Sequence, residues 1–142
     1  IGSAREIICA TPTYLRKQKP IVDIQDLSTH KWIPAPWQTN SMKLYKGELM
    51  SDETILDAVL RARSNTLPGT LELVSHHMGL ALLPEFVLQD SLSKGELAHI
   101  LPAYQGRLWP FYLVHRFQRE KPIHVTRFYQ LIKHFFNRAI EP

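Results

Sequence analysis

Two short stretches place hydroxyl and amide side chains where an apolar run meets a proline. One is Ile8-Cys9-Ala10-Thr11-Pro12, and the other is Ala62-Arg63-Ser64-Asn65-Thr66-Leu67-Pro68. Ser, Thr and Asn side chains cap the first turn of a helix, and proline suits the first helical position. Free N–H groups and the positive end of the helix dipole gather at such a start, which favours an anion or a carbonyl oxygen. In an open parallel sheet, ligands sit beyond the carboxyl ends of the strands. Two such termini in one crevice would make a site for a small carboxylate. The plain alternative is a pair of ordinary helix caps.

Other reactive residue types are scattered. There is no Gly-x-Ser-x-Gly, no His-Glu-x-x-His and no Gly-rich phosphate loop. Cys9 is the one cysteine, which excludes an internal disulfide framework and a Cys-rich zinc site and fits a reducing compartment. Inside an apolar strand it reads as a small buried hydrophobe, because a nucleophile would need a neighbouring base. The seven histidines show no ligand spacing. His76 and His77 are adjacent and diverge by about 100° on a helix. His30, His99, His115, His124 and His134 lie far apart, so no metal site is expected. Trp32, Trp37 and Trp109 either line a ligand pocket or simply pack.

Several elements must hold these residues. Residues 7–10 read as a buried strand. Thr11 then caps a helix over 12–18 that stops before Pro20. One helical turn over 23–27 and a short strand at Trp32-Ile33 follow, and Pro34, Pro36 and Gly47 break up the chain beyond. Residues 51–65 read two ways. Ile55, Leu56, Val59 and Leu60 have helical spacing, whereas 57–64 also alternates as a strand does. Thr66 or Asn65 caps the next helix, whose apolar face is Leu67, Leu71, Val74 and Met78 and which Gly79 ends. Residues 80–83 form a buried strand, Pro84 opens a helix carrying Phe86, Val87 and Leu92, and Lys94-Gly95 closes it. Strands over 97–101 and 108–115 precede a final helix over 126–140. Val125, Phe128, Ile132, Phe135 and Phe136 share one face there. Alternation of this kind predicts an α/β fold with a mostly parallel sheet and helices on both faces.

The chain has 142 residues, 44% of them hydrophobic and 21% charged, enough for one compact domain or two small lobes. Its net charge of +4 is uneven. From Arg107 onward Arg107, Arg116, Arg119, Lys121, Arg127, Lys133 and Arg138 face only Glu120 and Glu141, while the rest of the chain is slightly acidic. Basicity raises nucleic acid as a partner. Here it decorates a helix whose other face is needed for packing, so a solvated helix face is the simpler reading. No apolar run approaches a membrane span, and the N-terminus lacks a signal-peptide pattern.

Cys9-Ala10-Thr11-Pro12-Thr13-Tyr14-Leu15 resembles the Cys-Ala-Ser-Pro-x-Tyr-Leu segment of LysR-type transcriptional regulators. The likeness continues in order through Pro20, Asp26-Leu27 and His30, then Met78-Gly79-Leu80-Ala81-Leu82-Leu83-Pro84, then Gly95-Glu96-Leu97 and Leu101-Pro102, and covers nearly the whole chain. It favours a strand for the ambiguous stretch before Ser64-Asn65. Two departures stand out: His77 stands where the family's Gly-x-Gly has its first glycine, and 37–53 does not conform.

The resemblance implies a type 2 periplasmic-binding-protein-like effector domain, built of two Rossmann-like lobes with a ligand cleft between them. Residues 1–104 would be lobe II with its crossover strand. Residues 105–142 would be the returning strand and C-terminal helix of a partial lobe I. The winged helix-turn-helix, the linker helix and the first half of lobe I would lie outside this chain, leaving an apolar helix face to be covered by a dimer partner, a swap or intrachain repacking. By position, the effector-binding residues would be Ala10 and Thr11, then Pro34, Ala35 and Trp37, then Ser64, Asn65 and Thr66.

The expected function is sensing, in the cytoplasm of a bacterium, of a small anionic metabolite. Its binding would bias a DNA-binding dimer. The expected partners are the effector, a second copy of the chain, and DNA only through the missing domain, with no membrane, cofactor or metal. On this reading, Asn65→Ala or Thr11→Ala weakens the effector response. An enzyme is disfavoured by the lack of any paired acid and base. The nearest competitor is a solute-binding module of a transport system, which shares the fold.

Overall fold

The computed structural model describes residues 1–47, 49–116 and 120–140. Arg119 and Glu141, two of the charges counted above, lie outside the described residues. The chain forms two compact units: Arg5–Arg107, and Ile1–Ala4 together with the chain from Leu108 onward.

The larger unit is built on β1 (Gly2–Ala10), which continues into it from the smaller one. Ile7, Ile8, Cys9 and Ala10 are all fully buried. They divide by period two between two apolar clusters: Ile8 and Ala10 with Trp32, Met42, Leu44 and Leu82, and Ile7 and Cys9 with Ile33, Val74, Leu83 and Leu88. β1 therefore has a core on each face. Thr11 caps α1 (Pro12–Lys17), with proline in the first turn as expected. A 3-10 turn, Ile24–Thr29, follows, closed at its start by a reciprocal Asp23–Asp26 capping box.

Next come β2 (Lys31–Trp32), β3 (Ser41–Lys46), β4 (Asp52–Asp57), β5 (Val59–Leu60) and α2 (Leu67–Ser75). β6 (Ala81–Pro84) leads through a 3-10 turn, Glu85–Val87, to α3 (Gln89–Ser93), then β7 (Ala98–Ile100) and β8 (Tyr104–Gln105).

The mostly parallel sheet expected from the alternation forms only in part. β1 is antiparallel to both of its neighbours, β6 (Glu6↔Pro84 to Cys9↔Ala81) and β7 (Ile8↔Ile100 to Ala10↔Ala98). β3 is antiparallel to β4 and β8. The parallel contacts among the described residues join β2 to β5 and Trp32 to Leu80, so β2, β5, β6 and β7 share one direction and β1 runs against them. The reason is physical. A strand buried on both faces carries the same continuous apolar run whichever way its neighbours point, so the pattern is silent on direction.

Element ends differ too. The strand reading of 51–65 holds, but it breaks at Ala58 and stops at Leu60. α2 ends at Ser75, not at Gly79, because His77 itself takes the left-handed conformation (φ 62°). Gly79 serves close packing instead: a methyl there would lie 2.5 Å from the Lys31 carbonyl oxygen. Gly95 closes α3 with φ 71°, as read from the sequence.

In the smaller unit β9 (Leu108–Phe111), shorter than expected, pairs with β1. α4 spans Ile123–Ile140. Phe136 packs against Phe111 as a tilted pair with ring centroids 5.0 Å apart, whereas Phe128 and Phe135 are 53% and 57% exposed.

Candidate functional site

The eight sequence candidates fall into two groups, one at the carboxyl end of β1 and one beyond β2 and β5. Ala10 is buried, and Thr11 follows it at the carboxyl end of β1. Thr11 Oγ1 accepts the Tyr14 amide at 3.2 Å and shares a 2.8 Å hydrogen bond with His77 Nδ1. An open cavity of about 430 Å³ lies beside them, lined by Thr11, Thr13, Arg16, His77 and Glu96 among others.

The loop after β2 lies elsewhere. Pro34 and Ala35 are buried there. The Ala35 amide donates to Gln38 Oε1 at 2.9 Å, and the Gln38 amide donates back to the Ala35 carbonyl at 3.0 Å. The Gln38 side-chain amide reaches the Leu82 carbonyl at 2.8 Å. Trp37 is 42% exposed, and its indole N–H donates to Glu6 Oε1 at 2.9 Å.

The third loop joins the second. Arg63 donates to the Gln38 carbonyl at 2.9 Å and to Asn40 Oδ1 at 3.0 Å. Beyond it Ser64 Oγ accepts the Thr66 amide at 3.2 Å, and Thr66 Oγ1 accepts the Gly69 amide at 3.1 Å, capping α2. Asn65 and Thr66 are exposed at the loop tip.

Pro34, Ala35, Trp37, Ser64, Asn65 and Thr66 thus share one edge, where Glu6 pairs with Pro84. Ala10 and Thr11 do not. Four residues of extended strand, roughly 13 Å, separate Glu6 from Ala10. The single crevice read from the sequence required β1 to run with its neighbours. Because it runs against them, its carboxyl end meets the amino end of β6.

Burial perturbs four groups in this unit, and it raises the Tyr14 hydroxyl above its ordinary value. The Cys9 thiol is pushed up to about 12 by desolvation. His30 and His99 are held below the usual imidazole value by the same cause. The His30 ring meets the Tyr14 hydroxyl at 3.2 Å, and that hydroxyl accepts the Lys31 amide at 3.2 Å. Among the described residues, no cluster of three His, Cys, Asp or Glu is placed to hold a metal ion.

Sequence reasoning overlooked Glu6, Gln38, Asn40 and Arg63. Glu6 did leave a signal, as the one acid directly abutting the apolar run 7–10. A carboxylate is rarely buried without partners, so its presence there implies convergent donors.

Comparison with known proteins bears on this arrangement. The family model for the LysR substrate binding domain matches residues 1–137. A probable HTH-type transcriptional regulator, LtrA of Klebsiella pneumoniae, is 28% identical over 111 residues, covering 74% of this chain and 36% of that protein. The HTH-type transcriptional regulator PtxR of Pseudomonas aeruginosa is 22% identical over 139 residues, covering 94% of this chain and 43% of that protein. The chain therefore spans well under half the length of these relatives. Among solved structures, the regulatory domain of AphB in Vibrio vulnificus matches with a TM-score of 0.79 at 20% identity, over 95% of this chain and 66% of that one. The effector domain of AmpR of Pseudomonas aeruginosa matches at 0.64 and 13% identity, over 94% and 62%.

Proposed function

The chain belongs to the LysR substrate-binding domain family, and from that membership we propose that it is the effector-sensing part of a LysR-type transcriptional regulator. The observation that carries the assignment to particular residues is the convergence of the 34–40 and 61–66 loops through Arg63. On this reading Pro34, Ala35, Trp37, Ser64, Asn65 and Thr66 form this chain's share of the effector site. The unit Arg5–Arg107 acts as one lobe, and Ile1–Ala4 with the chain from Leu108 onward acts as part of the other. The Arg63 guanidinium, the exposed Asn65 amide and the start of α2 favour a small anion.

On this reading DNA contact belongs to a separate domain of the regulator, a reading supported by relatives that are HTH-type transcriptional regulators. The exposed Phe128 and Phe135 on α4 support assembly with a further copy or segment. No helix among the described residues is long and apolar enough to cross a membrane. The regulator works in the cytoplasm on this reading, as gene regulation requires.

The test is a set of substitutions in the full-length regulator, screened against small carboxylates by effector-dependent DNA binding. Asn65→Ala weakens the effector response by about tenfold, one charge-assisted hydrogen bond's worth, and leaves the melting temperature unchanged. Thr11→Ala lowers the melting temperature and leaves the effector response intact. A parental response in Asn65→Ala, or a lost response in Thr11→Ala, refutes the site.

A further inference from the structure

Glu6 is 2% exposed, yet its carboxylate draws donors from separate segments. Oε1 accepts the Trp37 indole N–H at 2.9 Å and the Gln38 side-chain amide at 3.4 Å. Oε2 accepts the Arg107 backbone amide at 3.1 Å. The backbone of the same residue is also engaged. Its amide donates to the Arg107 carbonyl at 3.1 Å, and its carbonyl accepts the Gly106 amide at 2.8 Å. The contact is close enough that a methyl at Gly106 would lie 2.8 Å from Glu6 Oε2.

The chain passes between its two units at Ala4–Arg5 and again at Arg107–Leu108. Glu6 lies one residue inside the first passage and is bonded to the last residue before the second. Its other oxygen holds Trp37 and Gln38. The Gln38 carbonyl in turn receives Arg63, next to Ser64, Asn65 and Thr66. Hydrogen bonds to the Gln38 backbone carbonyl and from its side-chain amide, joined through that one residue, therefore link Arg63 of the 61–66 loop to Glu6 and so to the backbone at Arg107.

We propose that Glu6 is a positioning residue that couples the effector loops to the paired chain passages. It sets Trp37 and Gln38 from one oxygen and the Arg107 backbone from the other. A displacement of the 34–40 loop then shifts the backbone where the chain leaves the unit. The proposal rests on the reading of 34–40 and 61–66 as effector loops, but the coupling is measurable without any effector. A physical warrant for such a route is non-additivity between its two ends.

The experiment is amide hydrogen exchange by NMR on the full chain, following the Arg107 amide and the Trp37 indole N–H. Arg63→Ala removes the far end of the route from an exposed position. It is expected to speed Arg107 exchange about fivefold with Glu6 present, and by less than about twofold in a Glu6→Gln background. Glutamine replaces one acceptor oxygen with a donor that opposes the donors already there. If Glu6→Gln does not fold, Trp37→Phe takes its place: it removes one donor while keeping a ring, and Arg107 exchange is expected to rise at least about threefold. An unchanged Arg107 amide in Arg63→Ala or Trp37→Phe overturns the proposal. So does the same increment in both Glu6 backgrounds. A positive cycle beside a parental effector response in Asn65→Ala would retain the coupling and discard the effector site.

Discussion

At position 77 an imidazole-bearing residue occupies backbone space that usually selects glycine. His77 has φ 62°, a conformation that costs a residue with a Cβ roughly 1–2 kcal/mol. Its ring offsets that through the 2.8 Å bond to Thr11 Oγ1, for which about 1 kcal/mol is typical. His77→Gly removes the cost and the bond together, so its stability should stay within about 1 kcal/mol of the parent. His77→Ala keeps the cost and loses the bond, and should be about 1 kcal/mol less stable. Urea unfolding of the three proteins checks the order. An alanine variant as stable as the parent would mean that the Thr11 contact contributes nothing. The departure from the family's Gly-x-Gly was visible in the sequence. That a histidine would reproduce the glycine's backbone was not, because the compensation comes from a residue 66 positions away.

Elements that announce themselves by local chemistry were legible: the Thr11 cap with Pro12, the Asp23 turn, the α2 start at Thr66 and the Gly95 stop all form as read. The hairpin of β3 and β4 was not foreseen. Met42 and Leu44 alternate with Ser41 and Lys43 as a half-buried strand should. The turn between the strands carries no Asn-Gly or Asp-Gly signal, however, and uses left-handed backbone at Gly47 and Met50. β8 has only two residues, too short for any period to register. For the candidate site, the loops were legible from their composition, but their grouping was not. Grouping depends on strand direction, which side-chain type does not encode.

One join between elements also carries a pH dependence. Tyr14 of α1 meets His30 just before β2, and burial holds His30 below its ordinary 6.5. As pH falls, the unfolded chain takes up the proton first. The stability that neutral His30 contributes is therefore complete above about pH 6.5 and is lost as pH drops through its lower folded value. His99 is shifted the same way by its own burial, so the two effects add. The urea midpoint should fall between pH 7.5 and 5, and fall less in His30→Gln. An equal fall in both proteins would remove His30 as a cause.

Considered whole, the molecule is a larger unit with a core on both faces of one strand, and a smaller unit whose helix keeps part of its apolar surface exposed. The basic C-terminal residues Arg127, Lys133 and Arg138 lie exposed on α4, opposite in character to the face that carries Phe136. That arrangement gives the positive charge the look of a solvated surface.

Cys9 turns the central strand into a clock. It is the one sulfhydryl in the chain, pairs in register with Ala81 on one side and His99 on the other, and is fully buried. The thiolate is the species alkylated, and with a value near 12 this buried sulfur supplies almost none at neutral pH until β1 separates from its neighbours, when the ordinary few per cent becomes available. The rate of labelling by iodoacetamide should therefore rise with urea as steeply as global unfolding does. A labelling rate indifferent to urea would mean that the sheet opens locally at β1. In the expected case a single irreversible chemical event keeps a running record of the time each molecule spends apart.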